Sequence, residues 1–273
     1  MSQSVQPPVH AAAPFRVAGH FGELLQGRLG PEGPLALVSL PCPALWIDCQ
    51  PQARGDNVLI NDHQFKTLCQ ALGVSYPRHR PHLVATMPPG GGAGSSTGGL
   101  VALARALGFA SSPDDLARLC VAIEGASDPL MFPNAEQLLF APRDARILRE
   151  LPRLPAFEVL GGFVGKAQRT DPLDVEFPDI SDLVSQWHPN KGLPHIAALA
   201  DQSASRTLAL RGPHTDQTAD IAKSLGALGR VIAHTGNARG FIFATGSVPA
   251  HAADALLEAG FDHIVQFNVG GSA

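Results

Sequence analysis

Met87-Pro88-Pro89-Gly90-Gly91-Gly92-Ala93-Gly94-Ser95-Ser96-Thr97-Gly98-Gly99-Leu100 reads as the end of a strand, a glycine-rich turn and the start of a helix. Glycines lack Cβ, so several backbone N–H groups can face one anion, and a helix N-terminus adds unpaired donors and about half a positive charge. Two consecutive hydroxyls at the helix start strengthen the expectation of a polyphosphate ligand over that of a turn needed only for close packing. A Walker loop would end in Gly-Lys-Ser or Gly-Lys-Thr, and this run contains no lysine.

Outward from this run, the apolar pattern predicts short strands at residues 15–17, 35–40, 45–49 and 82–87, each cut by glycine or proline. Residues 96–108 read as a buried helix, with Leu100, Val101, Leu103, Ala104 and Leu107 at helical spacing. A second helix is expected from Ser112 as N-cap, with Pro113 at its first position, acidic Asp114 and Asp115 next, and Gly125 as its stop. Residues 140–155 alternate arginine and proline with leucine and read as a connection, which divides the chain into 1–153 and 154–273. The second part predicts strands at 158–164, near Val231, near Phe241 and at 263–267. Its helices are expected near 194–210, 215–228 and 249–259, with an irregular acidic stretch up to Asp182. The first ten residues read as a loose tail.

Composition limits the function classes. Of the 273 residues, 45% are hydrophobic and 16% are charged. An average globular chain has roughly 25% charged residues, so this one is too apolar to stay disordered and folds. A net charge of −4 offers no broad positive field for a phosphate backbone, which argues against nucleic acid as a partner and for a small molecule. No secretory leader or membrane-spanning run is read, so a cytoplasmic protein is expected, without membrane attachment. Cys42, Cys49, Cys69 and Cys120 form no CxxC pair and read as free thiols. The pattern leaves the oligomeric state open.

The spacing Pro88-x-x-x-Gly92-Ala93-Gly94-Ser95-Ser96 resembles the phosphate loop of the GHMP kinases, the superfamily of galactose, homoserine, mevalonate and phosphomevalonate kinases. Further segments are similar to its PduX-like branch, the L-threonine kinases of cobalamin synthesis. They are Gly22-Glu23-Leu24-Leu25-Gln26-Gly27 with Leu37-Val38-Ser39-Leu40-Pro41, then Ile123-Glu124 with Asp128-Pro129-Leu130-Met131-Phe132, then Ala233-His234-Thr235-Gly236. The resemblance runs in order from about Pro14 to Gly271. It implies an α+β fold with a ribosomal S5 domain 2-like N-terminal lobe and a ferredoxin-like C-terminal lobe. ATP, Mg²⁺ and transfer to the side-chain hydroxyl of L-threonine are implied with it.

The resemblance further implies that Pro88, Gly90, Gly91, Gly92, Ala93, Gly94, Ser95, Ser96 and Thr97 hold the nucleotide phosphates. Ser95 or Ser96 would touch a phosphate or the metal, with Ser96 favoured for Mg²⁺. Phosphoryl transfer needs a carboxylate near the acceptor hydroxyl, and Asp128 is the candidate, paired with Ser96 as a catalytic residue. Its other reading is an Asp-Pro turn. Glu124 is the second candidate metal ligand, although Gly125, Ala126 and Ser127 separate it from Asp128 where the family pattern has two residues. Glu23 between glycines could bind ribose, a substrate amine or backbone amides, and His234, Thr235 and Gly236 are expected on the substrate side. Arg16 and Arg239 are candidates for a substrate carboxylate, with a surface position as their commoner role. His63, His79 and His188 read as solvated. A kinase for serine, ethanolamine or homoserine, and a nucleotide-binding regulator that has lost transfer, stand as alternatives.

Overall fold

The computed structural model describes residues 15–50, 59–168 and 171–271; the tail expected at the N-terminus lies outside them. β1 (Phe15–Arg28) and β2 (Leu35–Gln50) form an antiparallel pair whose register runs from Phe15 opposite Cys49 to Arg28 opposite Leu35. The sequence pattern broke these into three short strands because it took the glycines of β1 and the prolines Pro41 and Pro43 of β2 as punctuation. Gly19 and Gly22 lie at bulges inside one long strand: the register slips between Ala18 and Gly19, between His20 and Glu23, and between Glu23 and Leu25. Gly22 has φ +71°, and a Cβ there would lie 2.7 Å from the Ile232 carbonyl carbon. Only glycine therefore lets the next strand approach.

β2 carries β3 (His82–Ala85) near one end and β4 (Leu138–Ala141) near the other, and β4 pairs with β5 (Arg146–Glu150). The sheet continues from β1 through β7 (Gly229–Ile232) and β8 (Ala238–Phe243) to β6 (Phe157–Phe163) and β9 (Asp262–Val269). Its order is β5-β4-β2-β1-β7-β8-β6-β9, with β3 beside β2, and these strand pairs are antiparallel. The β4–β5 hairpin corrects the reading of residues 140–155 as a connection. β5 is an outer strand with a largely exposed, arginine-rich sequence, which gives it the composition of a linker.

Among the described residues, seven α-helices cover the sheet in an α+β, two-lobed arrangement. α1 (Asp62–Ala71), which the apolar pattern had not disclosed, is held by a capping box between Asn61 and Gln64. α2 (Ser95–Ala106) and α3 (Pro113–Glu124) appear where expected, α3 with Ser112 as N-cap and left-handed Gly125 at its end. α4 (Ser181–Ser185), α5 (Leu193–Arg211), α6 (Thr218–Leu225) and α7 (Ala252–Glu258) follow. One apolar core joins Leu24 and Leu25 of β1, Leu100 and Leu103 of α2, and Ile196 and Ala200 of α5. A second cluster gathers Phe241 and Phe243 of β8 with Leu225 and Leu256.

The four cysteines are buried free thiols. Burial pushes Cys42 and Cys49 up to about 12, which keeps them inert at neutral pH. Among the described residues no helix is long and apolar enough to cross a membrane.

Candidate active site

The middle of β1, the N-terminus of α2, the end of α3 and the turns after β4 and β7 converge on a cavity of about 420 Å³. Its glycine loop is pinned from two sides. The Gly91 carbonyl accepts from the amides of Asn237 and Ala238 at 3.1 and 3.0 Å, and the Ala93 carbonyl accepts from the His20 amide at 3.2 Å. Gly92 and Gly94 both take φ +77°; a Cβ would stand 1.9 Å from the Thr235 carbonyl oxygen at Gly92 and 2.8 Å from the His20 ring at Gly94. The loop therefore needs glycine for its packing as well as for its amides. Gly94 is the N-cap of α2 and no side chain caps that helix, so its first-turn N–H groups are available to an anion.

Beside the loop, a buried imidazole stands between two carboxylates. His20 Nδ1 lies 3.5 Å from Glu23 Oε1, and His20 Nε2 lies 3.6 Å from Asp128 Oδ1. The His20 and Glu23 side chains are 3% and 1% exposed, whereas Asp128 keeps 27% of its side chain open. Burial opposes a charge on His20, but Asp128 first and then Glu23 outweigh it and raise the imidazole to about 9. Burial raises Glu23 to about 8, against the pull of His20 and of the His234 amide, which donates to Glu23 Oε2 at 2.6 Å. Asp128 moves the other way. Burial would raise it, yet the His20 charge and the Thr97 hydroxyl hold it below the usual carboxylate range, and Thr97 Oγ1 accepts from the Asp128 amide at 3.2 Å.

Two further groups close the ends of the cavity. Glu124 Oε1 accepts from the Ser96 hydroxyl and from Gln64 Nε2, the latter at 2.6 Å, which fixes the end of α3 beside the start of α2. At the other wall the His234 ring stacks on Phe177 with centroids 4.6 Å apart. The guanidinium of Arg211 lies 4.6 Å from the centroid of Phe177 and that of Arg143 lies 5.8 Å from it. Burial, reinforced by these two cations, lowers His234 to about 4 and leaves it neutral at physiological pH.

Solved structures with a similar fold include the L. major mevalonate kinase in complex with R-mevalonate, with TM-score 0.59 and 14% identity over 98% of this chain and 100% of that one. The Methanococcus jannaschii mevalonate kinase matches with TM-score 0.57 and 14% identity over 97% of this chain and 100% of that one. A homoserine kinase from Cytophaga hutchinsonii matches with TM-score 0.52 and 16% identity over 99% of this chain and 98% of that one. The chain has the fold of these kinases. No protein-family model and no curated protein sequence matches it.

Within this kinase fold, the residues present fit the nucleotide and metal that the sequence resemblance implies. The loop is a cradle that a Cβ would fill, and the uncapped start of α2 faces the same cavity. Among the described residues no group of three His, Cys, Asp or Glu side chains could hold a metal ion unaided. Mg²⁺ is commonly bound through one or two carboxylates with phosphate oxygens and water completing the shell, and Glu124 with Ser96 supplies such a partial set.

Of the residues singled out in the sequence, Gly90, Gly92, Gly94, Ser95, Ser96 and Thr97 line the cavity, as do Glu23, Glu124, Asp128, His234 and Thr235. Pro88, Gly91 and Ala93 belong to the same loop without lining the cavity. Gly236 takes φ +107° and backs directly onto the loop, where a Cβ would lie 2.4 Å from the Gly91 carbonyl carbon. Neither Arg16 nor Arg239, the carboxylate candidates, lines the cavity, and Arg16 takes the surface position given as the commoner role. Arg16 is exposed and paired with Asp48 at 2.7 Å, and Arg239 is buried against Asp216 at 3.1 Å. His79 and His188 are exposed as expected; His63 is exposed and also borders the cavity. Sequence reasoning missed His20, Gln64 and Arg143. His20 sits three residues before Glu23, a spacing that on a flat strand would point the two to opposite faces. The bulge between them brings them together, and nothing in the local pattern announces it.

Proposed function

We propose that this protein is an ATP-dependent kinase that phosphorylates the side-chain hydroxyl of a small molecule, with L-threonine as the preferred acceptor and L-threonine O-3-phosphate as the product. The observation that carries this reading is the placement of the Asp128 carboxylate, held ionised by His20, in the same cavity as the glycine loop and the uncapped start of α2. The loop amides and the N-terminus of α2 bind the phosphates, while Ser96 and Glu124 hold Mg²⁺, which supplies charge neutralisation when bound.

Asp128 accepts a hydrogen bond from the acceptor hydroxyl and aims its oxygen at the γ-phosphorus. A carboxylate held below its ordinary pKa is a weak base toward an alcohol, so its first task is orientation. It takes the proton as the new O–P bond forms and the bond from the γ-phosphorus to the bridging oxygen breaks, with ADP as the leaving group. Phosphoryl transfer through a loose transition state asks for little more than this. The open part of Asp128 then returns the proton to solvent. The threonine assignment rests on the four sequence segments that resemble the threonine-kinase branch, and the cobalamin linker is the destination they imply for the product.

The test is a transfer screen with ATP and Mg²⁺ over L-threonine, L-serine, L-homoserine, ethanolamine and 1-amino-2-propanol, scored by kcat/KM. Threonine is expected to rank first and serine to be a poorer substrate, since one methyl is worth about 1–3 kcal/mol. An amino alcohol that outranks threonine overturns the substrate, and absence of transfer to every compound overturns the kinase.

A further inference from the structure

Among the described residues, the cavity is lined by one lysine or arginine only, Arg143. It stands in the turn between β4 and β5, next to Pro142, whose carbonyl accepts from the Ser127 amide at 2.9 Å. The guanidinium therefore rises from backbone directly bonded to the residue before Asp128. The phosphate-binding parts lie elsewhere: Ser96, Glu124 and Gln64 are joined to one another through the start of α2 and the end of α3.

Arg143 differs from Arg230, Arg239 and Arg211 in what it pairs with; Arg80, which donates to the Ile60 carbonyl and lies over the Phe65 ring, has contacts of the same kind as Arg143 but does not line the cavity. Arg230 is matched to Asp201 at 2.6 Å, Arg239 to Asp216 at 3.1 Å, and Arg211 to Asp174 at 2.6 Å. Arg143 has no carboxylate within ion-pair distance among the described residues. It donates to the Asp174 backbone carbonyl and lies near the Phe177 ring, contacts that orient the guanidinium without an ion pair to its charge. Burial lowers its pKa for want of such a partner, with Asp174 countering in part. A half-buried guanidinium in a cavity wall, held by neutral contacts, is suited to bind a planar carboxylate through two parallel N–H···O bonds.

We infer that Arg143 binds the carboxylate of the acceptor and so restricts this site to hydroxy acids, hydroxyamino acids included. The inference rests on the kinase reading for the identity of the reaction, and on the geometry for the anion site. An acceptor clamped there by its carboxylate presents its hydroxyl toward Asp128, while the apolar Leu35 and Leu37 of β2, beside β4, face the same space. Ethanolamine and 1-amino-2-propanol lack the group that Arg143 recognises.

The experiment compares the wild-type protein with Arg143→Gln and Arg143→Lys. It measures kcat/KM for L-threonine and 1-amino-2-propanol, ATP affinity, and calorimetric binding of both acceptors. Arg143→Gln is expected to lose about a hundredfold on L-threonine, mainly through KM, because a charge-assisted pair is lost. On 1-amino-2-propanol it should change by less than about threefold, and Arg143→Lys should fall between. Equal losses on both acceptors, or a matching loss of ATP affinity, overturn the inference and place Arg143 on the phosphoryl group. If the wild-type protein transfers phosphate to neither, the kinase reading fails and calorimetry decides the anion site. L-threonine binding at least tenfold weaker in Arg143→Gln supports it; equal binding, or none to the wild type, overturns it. Should Arg143→Gln fail to fold, the threonine-to-aminopropanol selectivity of Arg143→Lys decides: a fall supports the inference and an unchanged ratio overturns it.

Discussion

On one side of the cavity the groups that face the interior come mostly from a single run, residues 90–97, whereas the rest of the wall includes groups from four separate places: His20 and Glu23 of β1, Asp128, Arg143 and His234. The first end is backbone chemistry. Its amides are aimed by glycine dihedrals and a helix start, and its side chains beyond Ser96 and Thr97 are nearly absent. The second end is side-chain chemistry, in which charge states are set by burial and by neighbours, several of them distant in sequence. Asp128 is kept ionised by His20, His20 is kept protonated against its burial by Asp128 and Glu23, and His234 is kept neutral by burial, with Arg211 and Arg143 adding to it. An anion of fixed shape can be met by local geometry, whereas discrimination among small acceptors needs groups that converge from several elements.

The comparison is broken most severely at Asp128. Asp128→Asn is expected to lower kcat by about a hundredfold or more, the usual range for a group that handles the transferred proton, while ATP affinity changes little. Near-normal turnover in a folded variant would return Asp128 to the role of an Asp-Pro turn residue, and a loss of ATP affinity would show that the two ends are one.

His20→Gln should have a smaller effect of a different form. With the imidazolium gone, burial dominates at Asp128 and its pKa rises above its present depressed position. Activity needs the carboxylate, so it falls as pH drops through that pKa. The acid limb of the kcat/KM profile should therefore move upward in the variant, with a loss of about tenfold at neutral pH. In the wild type, activity that depends on the His20 proton should decline as pH rises through about 9. An unshifted acid limb would remove His20 from the control of Asp128.

The mildest change is expected at the phosphate end. Ser96→Ala removes one hydroxyl that meets Glu124 and leaves the loop backbone intact. The concentration of Mg²⁺ needed for half-maximal activity should rise by about tenfold, as for the loss of one supporting ligand, with KM for threonine unchanged. A change in the threonine KM in place of the Mg²⁺ requirement would assign Ser96 to the acceptor end.

Much of the architecture could be read along the chain. α2, α3 and α5 lie close to where their apolar spacing and caps put them, because helix signals are local. β1 was divided at its glycines and β2 at Pro41 and Pro43, and β5 had the composition of a linker, because a bulge and an outer strand are defined by what pairs with them. Arg143 was hidden by the same error. Its segment was read as a connection, so its charge could not be placed in a cavity wall.

The sequence by itself marked out the glycine loop and the start of α2, because glycine conformations and a helix start are set within a single short run of residues. It also placed Glu124 at the end of a capped helix and Asp128 just after it, near enough in the chain to be considered together. Only the tertiary structure decided that His20 stands between Glu23 and Asp128, that the His234 amide meets Glu23, and that Arg143 faces the cavity without a carboxylate partner among the described residues. Those contacts depend on the β1 bulge, on β7 packing against Gly22 and on the β4–β5 turn. The approach of β7 to Gly22 comes from strands far apart in sequence, and the bulge and the turn come from the register of paired strands, which no local pattern of residues encodes.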